Sequence, residues 1–405
     1  MGEVKNLKIK VKNTSLLNGL LFIISPLLAL PSIFISVYNR NKFCLVLLMI
    51  FASLITYQLI PSETKDLYQF YRFYKKIKNI GFEDFLFTLS AQKRLDFVVY
   101  FGIYFFAKLG LSGQLFFAIC TFITLYLIYA VYEKLVRDIE ISNRDYFLGI
   151  VSIFISIELM GLYSGIRNIL AVSIAIYGFY TGLFEDKKIK GFLFIALGTF
   201  THFGILLFVP VYIFGIFWKL RTKIVFIIYL ISFFFLLFTK QYLHDIALSL
   251  PLPESFDAKI KGYLQGLDFI EKGIKGSVSA YLSYKIRISW IYFAHIYMFL
   301  TFNRKSSYRN IVILLMSMLN IFSVTPDIQL RLTYLVELMF IFLLFYEYKC
   351  SNNKFFLKLF FIFLIPSFFV NLIVLRDYFI ESLFNKNFLT LIGILLKKVE
   401  LIFAW

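Results

Sequence analysis

Long runs of apolar residues recur along the whole chain, and they constrain its fold more than any other feature. The runs at 43–60 and 223–238 approach the roughly 20 apolar residues that cross a bilayer as a helix. Charged residues make up only 16% of the chain, whereas soluble domains carry about 25%. Backbone polar groups in lipid must be bonded internally, so spans are helices or barrel strands. These runs lack the alternation of barrel strands and therefore predict helices.

The predicted fold is an all-α, polytopic transmembrane helical bundle of about 11 to 14 membrane segments. No stretch of soluble composition is long enough for a separate domain, so residues 1–405 are predicted to form a single integral membrane domain. The predicted spans are 16–38, 43–60, 95–110, 113–132, 146–163, 166–183, 191–218, 222–239, 287–302, 311–325, 332–346 and 355–375, with 388–405 as an optional last segment.

Basic connectors between the spans predict their orientation, because cytoplasmic loops collect Lys and Arg. Counting crossings from these connectors places Arg167 and Arg331 at the external face. The segment 191–218 would be roughly 42 Å long as one helix, which is long for one crossing. The "GTFTHFG" at its centre favours a bend at His202 and a return to the cytoplasm. The connectors are 132–144, 185–190, 218–223, 303–310 and 348–358.

Two polar stretches are predicted to form external loops. Residues 240–286 are external by the count of crossings, and a connector of this length indicates a lid or a substrate-recognition loop. The second stretch, 61–94, is rich in Lys and Arg, so the loop-charge rule alone would place it in the cytoplasm. Its external placement depends on the family resemblance described below.

The formal net charge is +18. Most of this excess of positive charge is explained by the Lys and Arg residues that collect in cytoplasmic loops. The alternative explanation is that some of the arginines bind an anionic substrate. The basic residues lie in short loops and form no continuous stripe, which argues against nucleic-acid binding. The 3 Cys and 3 His are scattered without ligand spacing, so neither a metal site nor a disulfide framework is predicted. No Gly-rich nucleotide loop is evident, and no cofactor is predicted.

Arg167 and Arg331 are the main candidates for substrate binding. An arginine fork binds phosphate oxygens bidentately and stays charged, so arginines at the outer face suit a lipid diphosphate. The alternative for each is an arginine that reaches the headgroup level from a span end. Helical spacing excludes direct pairing of Arg167 with Glu158 and of Arg331 with Glu337, so Arg331 is predicted to face another group. Both glutamates are ionisable residues within spans.

The stretch "PSETKDLYQFYRFYKK" (61–76) combines a carboxylate with several aromatic residues. Aromatic rings stack on the apolar faces of sugars and a carboxylate accepts hydroxyl groups, so Asp66, Tyr68, Tyr71 and Arg72 form a candidate sugar site. A belt of interfacial tyrosines is the alternative.

Several motifs together resemble the EpsG family of polysaccharide polymerases, which includes the Wzy-type O-antigen polymerases. They are "DLYQFYRFY" after the second span, "GIRNILAVSIAIYGF", "LGTFTHFGILLFVPVYIF" and "QLRLTYLVELMFIF". The Arg motif, Arg167 to Ala171, has one residue more before its Ala than the tightest form. Thr201 stands before His202, where the family more often has Phe. The late Arg with a following Tyr matches Arg331 and Tyr334.

The resemblance implies a membrane glycosyltransferase at the outer face of the bacterial inner (plasma) membrane. Such enzymes join undecaprenyl-diphosphate-linked oligosaccharide repeat units, with the lipid diphosphate as leaving group. The implied pathway is lipopolysaccharide or other polysaccharide biosynthesis, with a flippase and a chain-length regulator as partners.

The predicted roles follow from this chemistry. Arg167 and Arg331 hold the diphosphate, and Tyr68 and Tyr71 hold sugars. His202 is either the catalytic base or the residue that orients the leaving group, and Asp66 is the rival base. Arg72, Arg287 and Arg376 are further phosphate or sugar contacts. A lipid-linked glycan flippase or transporter is the alternative class, disfavoured because no repeated halves are evident. A membrane acyltransferase is a third possible class, and it would need a His close to an Asp or Asn. His244 and Asp245 are the only close pair of this kind in the sequence.

Overall fold

The computed structural model describes the chain from Thr14 to Ile394 with several gaps. The described residues are 14–59, 66–91, 97–157, 159–163, 165–249, 264, 269–348, 354–379, 390–391 and 394. Glu158, most of 250–268 and nearly all of the optional segment 388–405 lie outside them. Every regular element among the described residues is a helix, which confirms the predicted all-α bundle.

Twenty helices are numbered here in chain order, and bends join some of them into longer units. They are α1 Thr14–Ile24, α2 Pro26–Tyr38, α3 Lys42–Gln58, α4 Asp66–Ile77, α5 Phe82–Ala91, α6 Val98–Lys108, α7 Gly113–Val136, α8 Asn143–Ser156, α9 Leu159–Tyr163, α10 Ile166–Leu183, α11 Lys188–Thr201, α12 Phe203–Phe217, α13 Thr222–Leu237, α14 Lys240–Ser249, α15 Phe269–Gly276, α16 Val278–Arg287, α17 Ser289–Leu300, α18 Ser307–Val324, α19 Pro326–Tyr346 and α20 Lys354–Phe379.

Five of the described helices are long and apolar enough to cross a membrane unaided, or six if the bent pair α13–α14 counts as one span. The chain is thus a multi-pass membrane protein. Several predicted crossings are built from shorter apolar helices instead. The predicted span 16–38 is divided at Ser25, whose side chain caps α2 ahead of Pro26. The predicted span 95–110 is corrected to α6, whose 11 residues reach only about 16 Å and cannot cross alone.

The basic connectors predicted to be cytoplasmic lie together at one end of the bundle, named here the Glu347 end. The Lys134 ammonium lies 2.7 Å from the Glu185 carboxylate, and this hydrogen bond holds the pKa of Glu185 below its ordinary value. The Asn310 side chain donates to the backbone carbonyl oxygen of Leu220 at 3.2 Å. The Tyr348 hydroxyl donates to the Asp145 carboxylate at 2.7 Å, and the rings of Phe184 and Tyr308 lie 5.2 Å apart. The five connectors are therefore on one side of the bundle, as the charge pattern predicts.

A buried ion cluster joins three helices at the Glu347 end. Arg309, on α18, is 0% exposed and donates to the two carboxylate oxygens of Glu347 at 2.8 and 3.1 Å. Arg304 adds a bond of 3.0 Å, and the hydroxyl of Tyr297, on α17, donates to the same carboxylate at 2.5 Å. A buried charge is tolerated when it is paired with an opposite charge. The cluster therefore fixes the positions of α17, α18 and α19 relative to one another.

The chain reverses direction at His202, as the sequence predicts. The hydroxyl of Tyr212, on α12, donates to the carbonyl oxygen of Lys188, at the start of α11, at 2.7 Å. A straight helix would separate these two residues by about 36 Å. The ring of Phe192 also lies 6.2 Å from that of Phe217. Helices α11 and α12 therefore form a hairpin whose turn is His202 and whose two ends lie at the Glu347 end.

Glycines allow α10 and α11 to pack at very short distance. A Cβ atom added to Gly191 would lie 2.6 Å from the carbonyl oxygen of Gly178 and 2.8 Å from the amide nitrogen of Gly182. One added to Gly198 would lie 3.1 Å from the carbonyl oxygen of Ala171. The two helices are antiparallel along this line of contacts. One further turn of α11 brings His202 to the level of the first turn of α10, which contains Arg167.

Helices α10 and α19 run in the same direction. At the Glu347 end, the rings of Phe184 and Tyr346 lie 5.4 Å apart. Near the start of both helices, a Cβ added to Gly161 would lie 3.0 Å from Ile169 and 3.4 Å from Tyr334. The starts of α10 and α19, whose first two turns contain Arg167 and Arg331, therefore share the other end of the bundle, named here the Arg167 end.

The described parts of both predicted external loops also lie at the Arg167 end. Helix α3 packs along α7. Lys42 lies 3.2 Å from Glu133 at the Glu347 end, and the Thr56 and Thr121 hydroxyls lie 2.9 Å apart further along. Helix α3 therefore ends towards the Arg167 end, where α4 follows it. In the second loop, the Tyr284 hydroxyl donates to the Gln329 side chain, next to Arg331. Residues of both stretches therefore lie on the side of Arg167, and their external location stays a prediction.

We expect Gly191→Ala to destabilise the protein by about 1–3 kcal/mol, because the added methyl group meets backbone atoms of α10 that cannot move independently. The matched control is Gly276→Ala, since a Cβ at Gly276 meets nothing within 4 Å. Thermal unfolding of the purified proteins in one detergent measures both. Equal melting temperatures for the two variants would contradict the close packing of α10 on α11.

Cysteine labelling tests the orientation of the bundle. Asn79 is exposed at the Arg167 end and Lys190 is exposed beside the Glu347 end. In a background with Cys350→Ser, where Cys44 and Cys120 are buried, we expect Asn79→Cys to react with an impermeant maleimide in intact cells. We expect Lys190→Cys to react only after permeabilisation, because cytoplasmic loops collect positive charge. The opposite pattern of labelling would invert the orientation.

Candidate functional site

Arg167 lies in the first turn of α10, next to two other helices. Gly165 precedes this helix as its N-cap and provides no side-chain cap, so backbone N–H groups point out of the helix start. Such a helix start favours negative charge. Arg167 is partly buried, and its guanidinium carbon lies 5.5 Å from the ring centre of Phe70, on α4. A fixed cation and a helix N-terminus therefore occur at the same place.

His202 forms the turn between α11 and α12, and its imidazole stabilises that turn. The amide N–H of Gly204 donates to His202 Nδ1 at 3.1 Å. A backbone amide can only donate, so Nδ1 is the acceptor and the neutral ring carries its proton on Nε2. The side chain is 7% exposed. In this state the outer nitrogen is a hydrogen-bond donor, which suits contact with an anionic oxygen better than removal of a proton.

Arg331 is half-exposed and forms an ion pair that the sequence analysis did not predict. Its Nη2 lies 3.3 Å from the carboxylate of Asp327, one turn earlier on α19, and its side chain is 39% exposed. The sequence analysis excluded Glu337 as a partner of Arg331, and the structure gives Asp327 as one partner. Pro326 begins the helix, so Asp327 and Arg331 stand at positions i and i+4 of α19.

Helix α4 divides the predicted sugar residues between two faces. Tyr68 is partly exposed and Arg72 is exposed, whereas Tyr71 is only 6% exposed and its ring lies 5.2 Å from that of Phe117. Tyr71 is therefore mainly a packing residue in this structure. Asp66 begins the helix, and its side chain lies outside the described atoms. The residues of α4 that reach the surface are those that a substrate at the Arg167 end could contact.

The end of α4 is anchored by another tyrosine. The Tyr74 hydroxyl donates to the carbonyl oxygen of Leu111 at 2.6 Å, in the loop before α7. Burial raises the pKa of Tyr74 above its ordinary value, so the phenol stays protonated and remains a donor. Helix α4 is thus fixed against α7 at its carboxyl end.

Two further predicted residues lie at the Arg167 end but on different helices. Arg287 ends α16, which packs against α20, and it is partly exposed. Arg376 is exposed near the end of α20. Helix α16 is connected to the start of α19 through the Tyr284–Gln329 hydrogen bond. Arg287 is therefore on the same side of the bundle as Arg331.

The described residues offer a cationic site without metal ligands. No group of three or more His, Cys, Asp or Glu residues that could hold a metal ion occurs among them. The groups that the fold brings to this end include guanidinium groups, the His202 imidazole, tyrosines and the Asp327 carboxylate that pairs with Arg331. Such a set can bind an anion and stabilise negative charge that develops on it.

Sequence reasoning missed Phe70 and Asp327. The signal for Asp327 was present, since Pro followed by an acidic residue is typical of the start of a helix. Phe70 lies within a motif that was selected for its tyrosines and its arginine. Its contact with Arg167 joins residues far apart in the chain, which no local pattern indicates.

The fold and the site define a class of protein: a multi-pass helical membrane protein with a cationic site at one end of its bundle. The family model described as "EpsG family" matches residues 41–388, so the chain belongs to the EpsG family. This match covers the helices that position Arg167, His202 and Arg331, and it confirms the resemblance found in the sequence. No curated protein and no solved structure matches the chain.

We expect His202→Ala to lower the stability of the protein by about 0.5–2 kcal/mol, because the amide of Gly204 loses its acceptor. His202→Asn should retain most of that stability, since the Asn side-chain oxygen can accept the same bond. Thermal unfolding of the purified variants measures the difference. If His202→Ala unfolds at the wild-type temperature, the imidazole does not stabilise the turn.

Proposed function

We propose that the protein is a membrane glycosyltransferase that polymerises polysaccharide repeat units, as a Wzy-type O-antigen polymerase does. Its donor is an undecaprenyl-diphosphate-linked glycan, and its acceptor is a sugar hydroxyl of another lipid-linked repeat unit. The observation that carries this proposal is the placement of Arg167, His202 and Arg331 at one end of the bundle, on three helices. Family membership supports the polymerase class.

The reaction needs stabilisation of a leaving group more than it needs a cofactor. The acceptor hydroxyl oxygen forms a bond to the anomeric carbon of the donor, and the bond from that carbon to the diphosphate oxygen breaks. The electron pair of the broken bond stays on the diphosphate, whose negative charge increases. Arg167 and Arg331 stabilise this charge, because fixed cations aimed at developing charge lower the barrier. The Asp327 carboxylate holds Arg331 in place.

His202 and Asp66 have different roles in this proposal. With Nδ1 committed to the Gly204 amide, the Nε2–H of His202 donates to an oxygen of the diphosphate. Asp66 then accepts the proton that the acceptor hydroxyl loses, which is the role that sequence reasoning left open between the two residues. Tyr68 and Arg72, which reach the surface of α4, contact the sugars.

The proposed setting is the outer face of the bacterial inner membrane. Basic loops at the Glu347 end favour a cytoplasmic location for that end, and this places the Arg167 end outside. A flippase that delivers the lipid-linked repeat units and a chain-length regulator are the proposed partners. The polymer would be lipopolysaccharide O-antigen or a related surface glycan.

We expect Arg167→Ala to lower the polymerisation rate by about 100-fold or more, since it removes the charge on the leaving-group side. We expect the polymerisation rate of Arg167→Lys to lie between those of wild type and Arg167→Ala, because Lys keeps the positive charge but cannot form the bidentate hydrogen bond. The matched control is Arg144→Ala, an exposed arginine at the Glu347 end. The measurement is the chain-length distribution of the surface glycan in cells that express each variant at equal level.

The products separate the polymerase from a flippase. An inactive polymerase leaves single repeat units attached to the final acceptor outside the cell, whereas an inactive flippase leaves none outside. Long chains of normal distribution in Arg167→Ala cells would refute the phosphate-binding role. The absence of any external repeat unit would instead assign the protein to transport.

A further inference from the structure

Arg167 rests on an aromatic ring that the sequence analysis did not select. Its guanidinium carbon lies 5.5 Å from the ring centre of Phe70, within the range of a cation–π contact. Phe70 is 3% exposed, so this contact is largely shielded from water. The two residues are on α10 and α4, and their contact joins the helix with the candidate phosphate-binding arginine to the helix with the candidate sugar-binding residues.

The Phe70 ring is itself held in place by two neighbouring helices. It makes an edge-on contact with Tyr100, on α6, at 5.7 Å and a tilted contact with Phe117, on α7, at 5.9 Å. Such aromatic pairs have preferred geometries and add to the stability gained by burial. These three rings therefore form a rigid support for the Arg167 guanidinium.

A guanidinium that lies over a ring keeps its N–H groups at its own edge. The ring attracts the cation without accepting a conventional hydrogen bond, so the contact with Phe70 leaves the guanidinium N–H groups available to other partners. Holding the guanidinium in one orientation before the substrate arrives lowers the entropic cost of binding. Phe70 thus contributes to anion binding without touching the anion.

We propose that Phe70 is a positioning residue for Arg167: it orients the guanidinium toward the diphosphate and fixes its place relative to Tyr68 and Arg72. This inference rests on the proposed function, because it assigns to Arg167 a lipid diphosphate as ligand. The aromatic character of position 70 is then needed for binding, beyond any role of the side chain in packing.

The test is the affinity of the purified full-length protein for undecaprenyl diphosphate, measured in detergent with undecaprenyl monophosphate as the comparison ligand. We expect Phe70→Met, which keeps most of the volume, to weaken diphosphate binding about three- to tenfold. Phe70→Tyr and Phe70→Trp should bind within about twofold of wild type, because both keep a ring with a negative face.

A matched control removes an aromatic residue that has no arginine contact in the described structure. Phe73 lies on the same helix, and its ring packs on Tyr100 at 5.0 Å and on Phe85 at 6.3 Å. We expect Phe73→Met to leave the affinity unchanged. If it weakens binding as much as Phe70→Met does, then α4 packing in general explains the effect, and the proposal is wrong.

A second measurement keeps the proposal testable even if Phe70→Met fails to fold. Pentafluorophenylalanine at position 70 preserves the shape of the ring and removes its negative face, so it should fold and still weaken binding about three- to tenfold. In an Arg167→Ala background the same replacement should have no further effect, because the two residues act together. Wild-type affinity with the fluorinated ring would overturn the proposal.

The two hypotheses fail in different ways. If Arg167→Ala binds undecaprenyl diphosphate as well as wild type does, the proposed function loses its main support. If Arg167→Ala weakens binding and none of the changes at position 70 does, the proposed function stands and only the role of Phe70 is refuted.

Discussion

The structure depends on one constraint: a chain that reverses within an apolar bundle must satisfy the backbone groups exposed at its turn. His202 meets this constraint, because its Nδ1 accepts the amide N–H of Gly204 where α11 ends and α12 begins. The reversal returns Tyr212 to Lys188 and keeps the next basic loop at the Glu347 end. Without it, the later helices would run in the opposite direction, and Arg331 would lie far from Arg167.

The two ends of the bundle differ in how they treat charge. At the Glu347 end, Arg309 and Arg304 share one buried carboxylate, that of Glu347, and this contact holds three helices together. At the Arg167 end, Arg167 and Arg331 are only partly buried. Arg167 contacts the Phe70 ring, and Arg331 pairs with a carboxylate of its own helix. The first arrangement suits stability, and the second leaves cationic groups near the surface for an anionic ligand.

Much of the fold and part of the site could be predicted from loop charge and from a few particular residues. Loop charge correctly grouped the basic connectors, and the glycines and His202 within 191–218 correctly indicated a reversal. The crossing predicted at 95–110 was wrong, because an apolar run of that length fits a short helix packed at the bundle end as well as a span. The burial of Tyr71 and the Asp327–Arg331 pair were not predicted, because one turn of helix decides which face a residue occupies and which neighbour it meets.

The sequence by itself determined the class of this protein. Its apolar runs require a helical membrane bundle, its loop charges divide the two ends, and its motifs belong to the EpsG family. Only the tertiary structure decided that Arg167 lies over Phe70, that Arg331 pairs with Asp327 and that His202 presents its Nε2–H. The physical reason is that apolar patterning and loop charge act on whole helices, whereas ring contacts, ion pairs and proton positions depend on atoms that meet only when those helices pack.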